Sequence, residues 1–188
     1  MKTSLSARGP RFSVLCLLSA VLCLASGCSI LPEPQVDSVR HFTLSEPAMT
    51  GGVAEGVVVR PVRLAGHLRS RSMAVRVSAN EVVYLDEVRW AEPLDEALTQ
   101  ILRNRLRAVP GGASVVVQIQ RCELDRSAGN TVQLAASYTL TPTGGEARAE
   151  VFTATPRAWD GGDTGALVGL IREAAGELAD AIAAAVEK

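Results

Sequence analysis

The stretch Thr-Val-Gln-Leu-Ala-Ala-Ser-Tyr-Thr-Leu, residues 131–140, decides the fold because its side chains alternate in character along its length. One set is apolar or aromatic: Val132, Leu134, Ala136, Tyr138 and Leu140. The side chains between them are polar or small. Successive side chains of a β-strand point to opposite faces of the sheet, so the pattern predicts a strand with one buried face and one face toward solvent.

Similar segments lie on either side of this strand in the chain. Residues 115–119 alternate in the same way before it, and residues 147–155 form a further strand after it. The connections, residues 125–130 and 142–145, are short and contain Gly, Pro, Asn or Asp. Strands joined by such turns pair antiparallel, so this part of the chain predicts a β-meander.

Four shorter β-type segments are predicted upstream. They are residues 40–44, 56–62, 73–77 and 81–84, with a Gly-Gly turn at 51–52 and a second turn at 78–80. Segments rich in Val and bounded by turn-forming residues are typical of strands.

Two amphipathic helices complete the pattern. Pro93 lies in the first turn of one helix, which ends before residues 110–112 and has its apolar residues at helical spacing. The other covers residues 164–187 and is capped by Asp163 or Thr164. Its small residues favour packing on the sheet, with a contact between subunits of a homo-oligomer as the alternative. Together these elements predict an α+β fold of two layers: a mainly antiparallel sheet of about six strands with both helices on one face.

The first 27 residues have the pattern of an export signal. Lys2, Arg8 and Arg11 precede an apolar run over residues 12–25. As a helix this run is about 21 Å long, which is too short for the ~30 Å hydrocarbon core of a bilayer. We therefore expect the segment to be removed.

The site of removal is indicated by Leu-Ala-Ser-Gly-Cys at 24–28, which resembles a bacterial lipobox. The resemblance implies covalent lipid on Cys28, and two or more acyl chains anchor a protein stably. Ser29 in place of Asp favours the outer membrane, with inner-membrane retention as the alternative. Residues 28–39 contain two prolines and predict a stiff tether, and residues 40–188 predict a single α+β domain.

Charge and cysteine usage limit the partners. The residues after the signal include 16 basic and 20 acidic ones, a net charge of −4. This balance disfavours binding of nucleic acid, or of anionic headgroups by the protein surface. Once the signal is gone and Cys28 is lipidated, Cys122 is the remaining thiol. Burial in a strand and pairing between chains both remain open for it.

A catalytic or metal-binding pattern is not evident. His41 and His67 are the only histidines and lie in no ligand cluster. No Gly pair leads into the Lys-Ser or Lys-Thr of a phosphate loop. Asp86, Glu87 and Glu92 could form paired carboxylates, but acids near a helix N-terminus are explained by the helix dipole alone. We expect no enzyme activity, no metal and no cofactor apart from the lipid on Cys28.

Several motifs in the middle of the chain carry a family resemblance. They are Val-Val-Val-Arg-Pro-Val (57–62), His-Leu-Arg (67–69), Asn-Glu-Val-Val-Tyr (80–84), Trp-Ala-Glu-Pro-Leu (90–94) and Asn-Arg-Leu (104–106), with His-Phe-Thr-Leu (41–44) after the tether. Together they resemble the ABC-type transport auxiliary lipoproteins of the PqiC/YmbA type, and Trp-Ala-Glu-Pro-Leu is the most specific match.

The resemblance implies a non-catalytic lipoprotein that faces the periplasm. It would work with an MCE-family substrate-binding protein and an ABC permease and ATPase in moving lipids or other hydrophobic molecules. Its role would be to dock the periplasmic partner at the outer membrane. Trp90, Leu68 and Arg69 are the candidates for partner binding. The residues alone favour a different role for Trp90, which like Leu94 is expected to lie in the core.

Two other functional classes share these features. A structural or assembly lipoprotein, such as a pilotin of another outer-membrane machine, would have the same anchor and a small α+β domain. A lipid-binding carrier would need an apolar cavity between the sheet and the helices.

Overall fold

The computed structural model of the chain describes residues 38–45 and 56–187. The predicted signal at 1–27, Cys28, the tether up to residue 37 and the turn at 51–52 lie outside the described residues. The described part forms one sheet with two helices packed against it.

The sheet has nine strands within the described residues. They are β1 (Arg40–Phe42), β2 (Val58–Val59), β3 (Arg63–Leu64), β4 (Ser72–Ser78), β5 (Glu81–Trp90), β6 (Ala113–Asp125), β7 (Thr131–Pro142), β8 (Arg148–Thr153) and β9 (Arg157–Ala158). The helices are α1 (Leu94–Leu106) and α2 (Thr164–Val186), and a 3-10 turn covers Gly66–Arg69.

Six of the strands form a continuous sheet in the order β1-β5-β4-β6-β7-β8. The pairs β4–β5, β6–β7 and β7–β8 are antiparallel. Parallel pairs join β1 to β5 and β4 to β6, and the short strands β2 and β3 also lie parallel to β6. These parallel pairs connect strands that no hairpin joins. The predicted α+β fold with a mainly antiparallel sheet is confirmed.

The strands β6 and β7 form the centre of the sheet, with a ladder that runs from Ala113↔Pro142 to Asp125↔Thr131. All five apolar or aromatic residues predicted to face the core from β7 are buried. Near Gln120 the register of β6 shifts by one residue, as in a β-bulge. Because of this shift, Cys122 lies on the same face as the residues before the bulge, within the strand in which the sequence predicts it.

Pro61 lies in a break of the predicted strand 56–62, where only β2 (Val58–Val59) forms, and β3 begins beyond that range at Arg63. Proline has no N–H group to donate to a ladder. The next residue, Val62, turns its N–H to the Thr99 hydroxyl of α1 at 3.0 Å rather than to a strand. The prediction of one uninterrupted strand here is wrong.

The strand β5 extends to Trp90, beyond the predicted 81–84. Its second half pairs with β1, which places Arg40 opposite Val88 and Phe42 opposite Trp90. The extension depends on a partner that is distant in the chain, which is why the local pattern does not show it.

Both helices lie close to their predicted positions. Pro93 is the N-cap of α1 rather than part of its first turn. At the start of α2, the Asp163 carboxylate accepts a hydrogen bond from the Ala166 N–H at 3.1 Å. α2 lies on β7, which confirms the predicted packing on the sheet, and α1 packs beside α2. Gly176 permits this approach, since a Cβ atom there would lie 3.1 Å from the Arg105 guanidinium.

The space between the sheet and the helices is filled by side chains. Val117 and Ala136 of the sheet, and Leu167 and Ile182 of α2, have no exposed surface. Full burial of one aliphatic side chain contributes about 1.5 to 3 kcal/mol. The contact between the two layers is therefore a main source of the stability of the domain.

The substitution Val117→Ala is expected to lower the free energy of unfolding by about 2 kcal/mol, because it leaves a cavity beneath the helices. The matched control is Val151→Ala, at a β8 position that is 84% exposed. We expect this control to change stability by less than about 0.5 kcal/mol. Urea unfolding of the full-length chain in non-ionic detergent measures both, and equal losses would contradict the described core.

Candidate functional site

The Trp-Ala-Glu-Pro-Leu motif lies where β5 ends and α1 begins. Trp90 is buried and pairs with Phe42 in the ladder of β1 and β5. The N–H of Ala91 donates a hydrogen bond to the Phe42 carbonyl at 2.9 Å. The first half of the motif therefore holds β1, the first strand after the predicted tether, at the edge of the sheet.

Glu92 fastens the residues that follow β1. Its Oε1 accepts hydrogen bonds from the backbone N–H groups of Leu44 at 3.1 Å and Ser45 at 2.9 Å. The Ser45 hydroxyl lies 2.7 Å from each carboxylate oxygen. Hydrogen bonds to an ionised acceptor are about twice as strong as neutral ones. The acid of the motif thus has a structural role within the described residues.

Arg172 of α2 holds the same segment from the other side. Its Nε donates to the Leu44 carbonyl at 3.0 Å and its Nη2 to the Thr43 carbonyl at 3.4 Å. We name Ala91, Glu92 and Arg172 the N-terminal clamp. The clamp joins the start of the domain to the sheet and to the C-terminal helix at once.

The three candidates for partner binding have different environments. Trp90 and Leu68 are core residues, exposed by 4% and 2% respectively. Arg69, at the end of the 3-10 turn, is exposed. Direct contact with a partner therefore remains a prediction for Arg69, whereas Trp90 and Leu68 position the surrounding backbone from within the core.

A groove of about 470 Å³ opens beside Arg69. Its charged lining residues are Arg63, Arg69 and Arg71, together with Glu92 and Asp95. The apolar residues Val62, Leu64 and Leu94 also line it. We name this the arginine groove, and it shares Glu92 with the N-terminal clamp.

A buried cluster of charges on β6 is the second polar site of the domain. The Glu123 carboxylate has no exposed surface. It is bound by Arg76 Nε at 2.6 Å, Arg121 Nε at 3.0 Å and His67 Nε2 at 3.2 Å. A buried charge requires such partners, because its desolvation costs several kcal/mol.

Asp125 extends this cluster toward the turn after β6. It accepts hydrogen bonds from Arg121 Nη2 at 2.6 Å, from the Ser127 hydroxyl at 2.6 Å and from the Ala128 N–H at 3.0 Å. Burial alone would favour the neutral acid, but these hydrogen bonds outweigh it and hold the pKa of Asp125 below its usual range. The carboxylate therefore stabilises the folded state.

One signal in the sequence points to this cluster. Arg121, Glu123 and Asp125 recur with the period of a strand, which places three charged side chains on one face. Arg76 and His67 come from β4 and from the 3-10 turn, and nothing in the local pattern links them to β6.

Cys122 is a free and buried cysteine on the core face of β6. Burial, together with the negative charge of Glu123, raises the pKa of its thiol to about 12. The thiolate is the reactive form of cysteine, so this thiol is inert in the folded domain. Of the two alternatives for Cys122, burial is confirmed.

The remaining candidates from the sequence are the carboxylates Asp86, Glu87 and Glu92. Asp86 and Glu87 are exposed on β5, whereas Glu92 is engaged by the residues after β1. Within residues 38–45 and 56–187, no three His, Cys, Asp or Glu side chains converge as the ligands of a metal would. In the same part of the chain, no helix combines the length and the apolar character needed to cross a bilayer.

Comparison with known proteins decides the family. The family model for the ABC-type transport auxiliary lipoprotein component matches residues 42–183, which is most of the chain. The chain belongs to this family. As an auxiliary lipoprotein of a transport system, it is associated with a membrane. The match begins in β1, the strand that the N-terminal clamp holds.

Two crystal structures share the fold of this auxiliary lipoprotein. One is of an uncharacterized protein with 15% identity and a TM-score of 0.62, with 78% of this chain and 97% of that chain covered. The other is of a Xanthomonas campestris protein described under the family name DUF330, with 17% identity and a TM-score of 0.56, covering 77% and 88% respectively. At these identities the likeness shows the fold alone. No curated protein matches the chain.

Glu92→Ala is expected to loosen the start of the auxiliary lipoprotein, because it leaves the N–H groups of Leu44 and Ser45 without their acceptor. We expect a loss of about 3 kcal/mol in the free energy of unfolding and faster amide hydrogen exchange at both residues. Glu87→Ala is the matched control, since Glu87 is exposed on β5. Equal effects of the two substitutions in denaturant unfolding and hydrogen exchange would contradict the N-terminal clamp.

Asp125→Asn is expected to remove a pH-dependent part of the stability. Because the pKa of Asp125 is lowered by folding, its contribution is full above the ordinary aspartate pKa and is lost as the pH falls through the folded value. The gap in unfolding free energy between wild type and Asp125→Asn should thus be constant near neutral pH and narrow below about pH 4.

Urea unfolding at a series of pH values measures this gap. Ser127→Ala removes one of the three hydrogen bonds and should give a smaller gap of the same shape. A gap that widens toward acid would show that the Asp125 carboxylate does not stabilise the fold.

Proposed function

We propose that this auxiliary lipoprotein is anchored by lipid on Cys28 in the inner leaflet of the outer membrane. It faces the periplasm and docks the MCE-family substrate-binding partner of an ABC permease and ATPase. The system moves lipids or other hydrophobic molecules between the two membranes, and the auxiliary lipoprotein itself is non-catalytic.

The observation that carries this proposal is the family match over residues 42–183. It covers both layers of the described domain, from β1 into α2. The anchor is supported by the lipobox-like residues 24–28, and the outer membrane by Ser29. The periplasmic partner is supported by the motifs at 57–106 that the chain shares with the family.

The N-terminal clamp connects the lipid anchor firmly to the folded domain. A tether of residues 28–39 would reach about 37 Å as a polyproline-like chain, at ~3.1 Å per residue. Its last residues lead directly into β1, which Ala91, Glu92 and Arg172 fasten to both layers. A pull from a docked partner is therefore passed to the membrane through the core of the domain rather than through a loose end.

Docking is favoured over carriage of lipid by the packing of the two layers. A carrier would hold its cargo between the sheet and the helices. There Val117 and Ala136 of the sheet, and Leu167 and Ile182 of α2, are fully buried. Small residues of α2, such as Ala175 and Gly176, bring the helices still closer to the rest of the domain. We therefore expect the molecule to act by binding a partner at its surface rather than a lipid in its interior.

Cys28→Ala in the full-length chain is expected to remove the protein from the outer-membrane fraction, because it removes the thiol that carries the lipid. The share of the MCE partner recovered with the outer membrane should fall with it. Fractionation and immunoblotting measure both proteins. Cys122→Ser is the matched control, since it removes a thiol from the core and keeps the anchor.

The proposal would be overturned if Cys28→Ala stayed in the outer membrane with transport intact. A wild-type protein found in the inner-membrane fraction would overturn the location but not the anchor.

A further inference from the structure

The arginine groove is formed in large part by residues 62–71, a stretch rich in arginine. Four arginines and no acidic residue occur between positions 57 and 71, although the chain after the signal has a net charge of −4. The groove brings three of them, Arg63, Arg69 and Arg71, to one place beside the start of α1. The side chains come from β3, from the 3-10 turn and from the residue before β4.

These arginines differ from the arginines with a structural role. Arg76 and Arg121 bind Glu123, and Arg172 binds backbone carbonyls. Within residues 38–45 and 56–187, the guanidinium groups of Arg63, Arg69 and Arg71 make no hydrogen bond or ion pair and are exposed. Three fork-shaped donors that line one groove, with no partner among the described residues, are suited to bind carboxylates from outside.

We propose that the arginine groove binds a carboxylate-bearing peptide segment of the periplasmic partner. The apolar lining of Val62, Leu64 and Leu94 provides a floor for aliphatic side chains between the acidic ones. Recognition of acidic motifs by clustered arginines combines this kind of floor with charge-assisted hydrogen bonds at the rim.

A peptide fits this site better than a membrane surface does. The groove is concave, so the plane of a bilayer cannot reach its floor. Glu92 and Asp95 also line it, and they would repel a continuous layer of anionic headgroups. A peptide can place its carboxylates at the arginines and a neutral or donor group beside Asp95.

The position of the groove connects recognition to the anchor. Glu92 lines the groove and also binds Leu44 and Ser45 in the N-terminal clamp. A segment held by Arg69 and Arg71 therefore lies next to the strand that continues into the lipid tether. The origin of the segment rests on the proposed function, whereas the preference of the groove for carboxylates does not.

The test uses the full-length lipoprotein in non-ionic detergent and a fluorescent peptide of alternating Glu and Ala. The same peptide with Gln in place of Glu is the ligand control. We expect the Glu peptide to bind at least about tenfold more tightly at low salt, and Arg69→Gln with Arg71→Gln to weaken it by at least about tenfold. The charge-matched control, Arg60→Gln with Arg126→Gln, should change the Kd by less than about twofold.

Equal binding of the Glu and Gln peptides, or equal weakening by the two double variants, would overturn the proposal. So would stronger binding to vesicles of phosphatidylglycerol and phosphatidylethanolamine that is lost in Arg69→Gln with Arg71→Gln, since it would assign the groove to lipid. Circular dichroism and thermal unfolding establish that both double variants are folded.

A second measurement separates this proposal from the proposed function. If MCE and ABC components co-purify equally with wild type and with Arg69→Gln and Arg71→Gln, the groove is not the recognition site and the transport role stands. If they co-purify with neither while the Glu peptide still binds, the groove stands and the transport role is wrong.

Discussion

The antiparallel ladder between β6 and β7 is the constraint on which the rest of the domain depends. β2, β3 and β4 pair with the edge of β6 that faces away from β7. On the other side, β8 and β9 pair with the outer edge of β7, and α2 packs on the face of β7. A slip of one residue in this ladder would turn the core side chains of one strand to solvent. The turn between the strands fixes the register, with Gly129 and Asn130 both at positive φ.

The same ladder positions the N-terminal clamp and the arginine groove. α2 supplies Arg172 to the N-terminal clamp. β6 pairs with β3, and β3 leads into the 3-10 turn and the arginine groove. The clamp and the groove share Glu92 and therefore lie side by side. This arrangement suits the proposed role, in which the auxiliary lipoprotein connects its lipid anchor to a transport partner.

Local patterns predict the elements of this fold well and their long-range partners poorly. The alternation in residues 131–140 predicts β7, and the helical spacing after Pro93 predicts α1, because these signals depend on neighbours in the chain. The bulge at Gln120 and the parallel pairing of β1 with β5 depend on distant partners, and no local pattern encodes them. The burial of Trp90 and Leu94 is predicted from the residues and confirmed, whereas the pairing of Trp90 with Phe42 depends on a distant strand.

The central claim is that this auxiliary lipoprotein docks a periplasmic transport partner. The most direct measurement is purification of the tagged, full-length protein from its own membranes after mild cross-linking, with mass spectrometry of the proteins that accompany it. The account predicts an MCE-family protein together with an ABC permease and ATPase. Recovery of a secretin or an outer-membrane barrel in their place would contradict it and would favour a structural or assembly lipoprotein.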